Sequence, residues 1–116
     1  MFVQTSRHEG FCLPPLEAMA AGAPVVCTDA HGNRDFCRDG ENCLMVEPEP
    51  AAVAAGLERV LTDAALRERL VAGGLATVGE YAWERRIDQL EDFLGRVADE
   101  RPAHSGAVPG ARRDHA

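Results

Sequence analysis

Residues 1–29, MFVQTSRHEGFCLPPLEAMAAGAPVVCTD, decide the fold of this chain. The stretch opens on an apolar, β-favouring segment, Met1 to Ser6, and closes on a second one, Ala23 to Asp29. Between them, prolines stand in the first turn of a helix that starts near Leu13, helix-forming residues follow, and Gly22 marks the end. A strand, a helix and a strand in so short a stretch predict a parallel βαβ unit.

Downstream of this unit the pattern adds one more strand and then becomes helical. Cys43 to Val46 predicts a third short strand, and Arg34 to Arg38 predicts a single helical turn before it. The predicted fold class is α/β, a partial Rossmann-like parallel sheet followed by about three helices. Because open sheets of this kind usually have about five or six strands, the chain resembles a piece of a larger domain. The three helices are predicted from apolar residues at helical spacing, the second set being weakened at Gly73 and Gly74: Val53, Leu57, Val60 and Leu61; Leu66, Leu70, Val71, Leu75 and Val78; and Trp83, Ile87, Leu90, Leu94 and Val97.

Composition excludes several classes of function. A chain of 116 residues holds one small domain, and its net charge of −7, with Arg as the sole basic residue type, argues against a nucleic-acid-binding surface. The sequence contains no apolar run near the roughly 20 residues that span a bilayer and no signal-peptide pattern, which predicts a cytoplasmic protein. Residues 99–116 have no period and are rich in small and polar residues, so the predicted domain is 1–98 and the remainder a disordered tail.

The four cysteines, Cys12, Cys27, Cys37 and Cys43, lack the spacing of a zinc site. There is no Cys-x-x-Cys pair and no histidine cluster beside them. The pattern predicts small buried thiols in a reducing compartment, and no metal-binding residues are assigned.

The segment from Glu9 to Glu17 is the one that points to chemistry. Glu9 follows the first predicted strand, and Glu17 lies about one turn inside the helix, so both belong to the sheet edge where ligands of open α/β folds bind. The backbone N–H groups of Gly10 to Leu13 approach a helix N-terminus, which favours an anion such as a diphosphate. A carboxylate at Glu17 is suited to two neighbouring hydroxyl groups, as in a ribose. On spacing alone, the alternative is a solvated Glu9 and a Glu17 on an exposed helix face.

A resemblance makes this segment more specific. The stretch FVQTSRHEGFCLPPLEAMAAGAPVVCTDAHGNRDFCRDGENCLMVEP resembles the C-terminal nucleotide-sugar-binding region of retaining GT-B glycosyltransferases, the group 1 family with a Glu-x7-Glu motif. The similarity continues through LTDAALRERLVAGG and YAWERRIDQLEDFL, and so covers residues 1–98.

The resemblance implies a role for each residue of the segment. Glu9 is expected beside the donor sugar and the reacting centre as the catalytic residue, and Glu17 at the ribose of a nucleoside-diphosphate-sugar donor. No metal and no cofactor beyond that substrate is expected. The family commonly has Gly where this chain has Cys12, so its side chain is expected to narrow the approach of the backbone to the ligand. The donor-binding residues implied are Glu9, Gly10, Phe11, Cys12, Leu13 and Glu17.

The resemblance also implies a partner. In this family the acceptor domain and the basic residues that clamp the diphosphate precede the position of Met1, so the expected partner is a missing N-terminal half or acceptor domain, through which peripheral membrane association stays open. Arg7, Arg34 and Arg38 are the nearest cations, either for the phosphates or as surface residues, and His8 is either a phosphate donor or a solvated loop residue. The isolated chain is expected to be catalytically silent; the alternatives are a non-catalytic nucleotide-binding or partner-docking module, and a degenerate remnant without a ligand.

Overall fold

The structure, a computed structural model, describes residues 1–100. The described residues divide between Ala82 and Trp83 into two units, and each is described by itself. The predicted tail from residue 101 onward lies outside the described residues.

The first unit is built on a three-stranded parallel sheet. The strands β1 (Phe2–Gln4), β2 (Val25–Thr28) and β3 (Leu44–Val46) lie in the order β1-β2-β3. In the register, Phe2 is opposite Val25, and Val26 is opposite Leu44. The three predicted strands are confirmed, with β1 and β3 shorter than the apolar runs that predicted them.

Four helices are formed within residues 1–100: α1 (Leu13–Ala20), α2 (Pro50–Thr62) and α3 (Ala64–Glu80) in the first unit, and α4 (Trp83–Asp99) in the second. The α/β class, with a parallel sheet followed by three helices, is confirmed. Because side chains alternate along a strand, the sheet has two buried faces. One face packs Val25 and Cys27 against Leu16 and Met19 of α1. The other carries Val26 and Leu44, and packs them against residues of α2 and α3 such as Val60, Leu66 and Leu70.

The helix α3 runs without a break through the two glycines that predicted a weak point. A Cβ atom on Gly73 would collide with the backbone carbonyl of Glu41, and one on Gly74 would lie 2.9 Å from the Met19 side chain. Glycine at these positions lowers the helix propensity of α3, but it allows α3 to pack closely against α1 and against the loop before β3.

The connection from β2 to β3 differs from its prediction. In place of a helical turn at Arg34 to Arg38, a 3-10 turn spans Gly32–Asp35. Its position is set by the buried side chain of Asn33, which accepts a hydrogen bond from Ala30 N (3.0 Å) and donates to Thr28 O (2.9 Å). Side-chain bonds of this kind compete with regular helix formation, and the apolar pattern of a sequence does not reveal them.

The described part of the second unit is the helix α4. Its apolar stripe of Trp83, Ile87, Leu90, Leu94 and Val97 is exposed within the described residues. None of the helices in residues 1–100 combines the length and the apolar character that crossing a membrane requires.

Candidate functional site

The Glu9 to Glu17 segment lies at the carboxyl ends of the parallel strands, as predicted. It begins in the loop after β1 and passes directly into α1. Glu9 also forms a parallel bridge with His31, which follows β2, and Glu9 N donates to Ala30 O at 2.9 Å. The loop thus extends the pairing of β1 and β2 by one step, which holds its backbone in a fixed place.

The Glu9 carboxylate is half-buried and oriented by two donors. Ser6 Oγ donates to Glu9 Oε1 at 2.6 Å, and Gln4 Nε2 donates to the same oxygen at 3.2 Å. Within the described residues Oε2 has no hydrogen-bond donor. One oxygen is therefore used to position the carboxylate, and the other stays available to a ligand.

Two further contacts fix the backbone of the loop that carries Glu9. Thr28 Oγ1, buried at the end of β2, donates to Ser6 O at 2.6 Å. A Cβ on Gly32 would lie 2.5 Å from Glu9 O and 2.6 Å from the carbonyl carbon of Gly10, so the two backbone segments approach as closely as a residue without a side chain allows. Gly10 itself has open space around its Cα.

The start of α1 offers fewer backbone donors than a helix usually does. Pro14 and Pro15 occupy its first turn and have no N–H group. The N–H donors in this region are consequently those of Gly10 to Cys12 in the preceding loop and that of Leu13, the first residue of α1. This helix end therefore offers an anion fewer N–H groups than a helix N-terminus without prolines does.

Cys12, whose side chain is expected to narrow the approach of the backbone to a ligand, is buried in the core. Its Sγ accepts a hydrogen bond from Gln4 Nε2 at 2.9 Å. The backbone of Cys12 has an unfavourable conformation, because its φ of 75° lies in the left-handed region that glycine adopts more easily. Burial, with the nearby Glu9 charge, raises the pKa of the Cys12 thiol, which keeps this group neutral.

The remaining predicted residues are exposed. Phe11 packs its ring against buried Phe36, with ring centroids 5.6 Å apart, and against Tyr81, at 6.1 Å. Leu13 is 57% exposed. Glu17 lies on α1 with its side chain in solvent and, among residues 1–100, without an ion pair or side-chain hydrogen bond.

The candidate cations differ in availability. Arg34 is engaged with Asp29 through two bonds of 2.8 Å, and this pair lowers the pKa of Asp29 to about 2. Arg38 donates to Phe36 O. Arg7 is exposed and lines a groove of about 500 Å³ beside α2, which none of the predicted donor-binding residues lines.

Comparison with known proteins identifies the family to which this loop and sheet belong. The sequence model of the glycosyl transferases group 1 family matches residues 1–76. The chain belongs to this family. A group 1 relative, the D-inositol 3-phosphate glycosyltransferase of Geodermatophilus obscurus, is 42% identical over 110 residues, which cover 93% of this chain and 24% of the relative.

Solved structures support the same assignment. Sucrose-phosphate synthase from Thermosynechococcus elongatus superposes with a TM-score of 0.77 at 28% identity, over 86% of this chain and 26% of that one. The C-terminal domain of a group 1 protein from Francisella tularensis gives a TM-score of 0.60 at 35% identity, over 67% of this chain and 41% of that one. The chain thus spans about a quarter of the glycosyltransferase from Geodermatophilus and of the synthase.

Sequence reasoning missed the residues that support Glu9. Gln4, Ser6 and Gly32 were not assigned any role, although the two-residue period of β1 places Gln4 on the same face as Phe2 and so toward Cys12. The buried Gln4 Oε1 has no hydrogen-bond partner within the described residues. A grouping of three cysteines was also missed, because their spacing in sequence resembles no metal motif.

Proposed function

We propose that this chain supplies part of the donor site of a glycosyltransferase that uses a nucleoside-diphosphate sugar and retains the configuration of the transferred sugar. In this proposal Glu9 lies beside the sugar and the reacting carbon. The N–H groups of Gly10 to Leu13 bind the sugar and the diphosphate, and Glu17 accepts hydrogen bonds from the ribose hydroxyls.

The observation that carries the proposal is the ordered Glu9 loop of a group 1 family member. Glu9 has one carboxylate oxygen held by Ser6 and Gln4 and the other without a donor in residues 1–100. A half-buried carboxylate held in this way, followed by a run of loop N–H groups and an exposed Glu17, provides acceptors for hydroxyl groups at both ends and donors between them.

The proposed chemistry rests on charge stabilisation by fixed groups. As the bond between the sugar and the diphosphate breaks, negative charge grows on the phosphate oxygens and positive charge on the anomeric carbon. Fixed N–H groups stabilise the first, and the departing diphosphate, on the same face as the incoming acceptor, stabilises the second. The loop is suited to this role because Glu9 N, Thr28 and Gly32 hold its backbone in place before a ligand arrives.

The described residues provide little positive charge for a diphosphate. Arg34 is committed to Asp29, and the body of the chain is acidic. We therefore propose that a second domain, on the same or a separate polypeptide, supplies the phosphate clamp and the acceptor site, and that this chain alone is catalytically silent. We place the reaction in the cytoplasm, in keeping with four free, buried cysteines.

Isothermal titration calorimetry of the 116-residue chain with UDP, GDP and ADP tests the binding proposal. At least one nucleotide is expected to bind, and Glu17→Ala is expected to weaken it by about 10- to 100-fold, the equivalent of the roughly 1.5–3 kcal/mol of charge-assisted hydrogen bonds. Glu58→Ala, which removes an equally exposed glutamate from α2, is the matched control and should leave the affinity unchanged.

The outcomes separate the alternatives. Absence of heat at millimolar concentrations of every nucleotide would favour a remnant without a ligand. An equal loss of affinity in both variants would contradict the role of Glu17. Turnover of a nucleotide sugar by the chain alone, with any simple acceptor, would contradict the need for a second domain.

A further inference from the structure

Three cysteines that are far apart in sequence meet in the core. Cys27 lies on β2, Cys37 follows the 3-10 turn, and Cys43 directly precedes β3. Their Sγ atoms all lie within 4.8 Å of one another, and those of Cys27 and Cys37 are 3.9 Å apart. All three are free thiols, and all three are buried.

The spacing of the sulfurs suits a metal ion. A metal–thiolate bond such as Zn–S is about 2.3 Å long, so three sulfurs around one ion in a plane lie about 4.0 Å from one another. The three sulfur atoms lie between 3.9 Å and at most 4.8 Å apart, so they need to move only slightly to reach this arrangement.

Two buried asparagines hold the loop that carries two of these cysteines. Asn42 donates to Phe36 O (2.7 Å) and Thr77 Oγ1 (2.8 Å), and accepts from Arg38 N (2.7 Å). Asn33 donates to Thr28 O and, at 3.7 Å, to Cys27 Sγ itself. Groups that bond the ligands and the nearby backbone are a common feature of metal sites, where they orient the ligand atoms.

A cation at the centre of the cluster would be bound by the three sulfurs as thiolates, and each cysteine that ionises would release its proton to solvent.

We propose that Cys27, Cys37 and Cys43 form a closed, three-sulfur site for a soft metal ion, and that Cu(I) is the ion that fits it best. Thiolate ligands select soft ions such as Cu(I). Structural zinc sites almost always have four ligands, and this cluster offers three among the described residues. Cys12 is the remaining cysteine of the chain; it lies outside the cluster and its sulfur bonds to Gln4.

The test is a Cu(I) titration of the full chain under reducing conditions, in competition with a chromophoric Cu(I) chelator. One Cu(I) per chain is expected, with a thiolate charge-transfer band in the ultraviolet. X-ray absorption is expected to find three sulfur neighbours at about 2.3 Å. Zn(II), titrated in the same way, is expected to bind more weakly.

The variants are chosen so that unfolding does not obscure the result. Cys27→Ala and Cys37→Ser should weaken Cu(I) binding by more than the roughly 10- to 100-fold that the loss of an outer hydrogen-bond partner costs. Cys37, the least buried of the three residues, gives the variant with the smaller risk to folding, and circular dichroism checks both. Cys12→Ala, at a buried cysteine outside the cluster, should keep the wild-type affinity. Unchanged affinity in folded Cys37→Ser, less than one equivalent bound, or an equal loss in Cys12→Ala would overturn the proposal.

Discussion

Replacing Gly32 with alanine tests the contact that fixes the Glu9 loop. A Cβ at this position would lie 2.5 Å from Glu9 O and 2.6 Å from both the carbonyl carbon and the oxygen of Gly10. All three atoms belong to the backbone, so a change of side-chain rotamer cannot relieve the clash. The two segments must separate instead.

The size of the effect follows from that separation. Ordinary contact begins near 3.4 Å, so the Glu9 carbonyl must retreat by about 0.9 Å (3.4 − 2.5). Overpacking of this kind costs about 1–3 kcal/mol, and disturbing the Glu9 N to Ala30 O bond adds about 1 kcal/mol. We expect the free energy of unfolding to fall by about 2–4 kcal/mol. With a urea m-value of about 1–1.5 kcal/mol/M, the unfolding midpoint falls by about 1.3–4 M.

Urea denaturation followed by circular dichroism measures this midpoint. Gly79→Ala is the matched control, because Gly79 lies in α3 with no atom within 4 Å of the added Cβ, and helix propensity there favours alanine by up to about 1 kcal/mol. A Gly32→Ala midpoint equal to that of the wild type, or an equal fall in Gly79→Ala, would refute the reasoning.

Three further predictions follow from the packing and the charges of the first unit. Gly73→Ala should lower the free energy of unfolding by about 1–3 kcal/mol in the same urea assay, since its Cβ meets the Glu41 carbonyl; wild-type stability would contradict this contact. Asn42→Leu should lower it by about 3 kcal/mol, because Arg38 N loses its acceptor while Phe36 O and Thr77 Oγ1 each lose the Asn42 donor, and thermal melts should report a lower Tm. Arg34→Ala should raise the pKa of Asp29 from about 2 toward its ordinary 3.8, followed by NMR titration of the carboxyl carbon. Because the pKa of Asp29 is depressed in the folded state, the stabilisation by this pair is present above pH 3.8 and is lost as the pH falls through about 2. An Asp29 titration that is the same in Arg34→Ala and in the wild type would show that the pair does not form in solution.

Much of the fold could be predicted because its signals are local. Short apolar, β-favouring runs place the strands, apolar residues at helical spacing place the helices, and the prolines before Leu16 mark the start of α1. What the sequence could not reveal depends on long-range contacts. Gly73 and Gly74 are unfavourable for a helix by propensity, and only the approach of Glu41 and Met19 explains them.

In the candidate site, too, the residues with a local signal were predicted, and those whose roles depend on long-range contacts were missed. Glu9 and Glu17 were found from their placement between strand and helix and from the family resemblance. Gln4 and Gly32 were missed because their roles depend on which side chains and backbone atoms the fold brings beside the Glu9 loop. The burial of Cys12 in an unfavourable backbone conformation could not be predicted either, since no local pattern reports φ at a non-glycine residue.

The central claim is that the Glu9 loop and α1 hold a nucleoside-diphosphate sugar, and NMR chemical-shift mapping tests it most directly. Titration of the 15N-labelled chain with UDP-glucose and GDP-mannose in turn should shift the amide signals of Gly10 to Leu13 and Glu17, and should leave those of α2 unchanged. Shifts confined to α2 or to the groove beside Arg7, or no shift with either donor, would contradict the account.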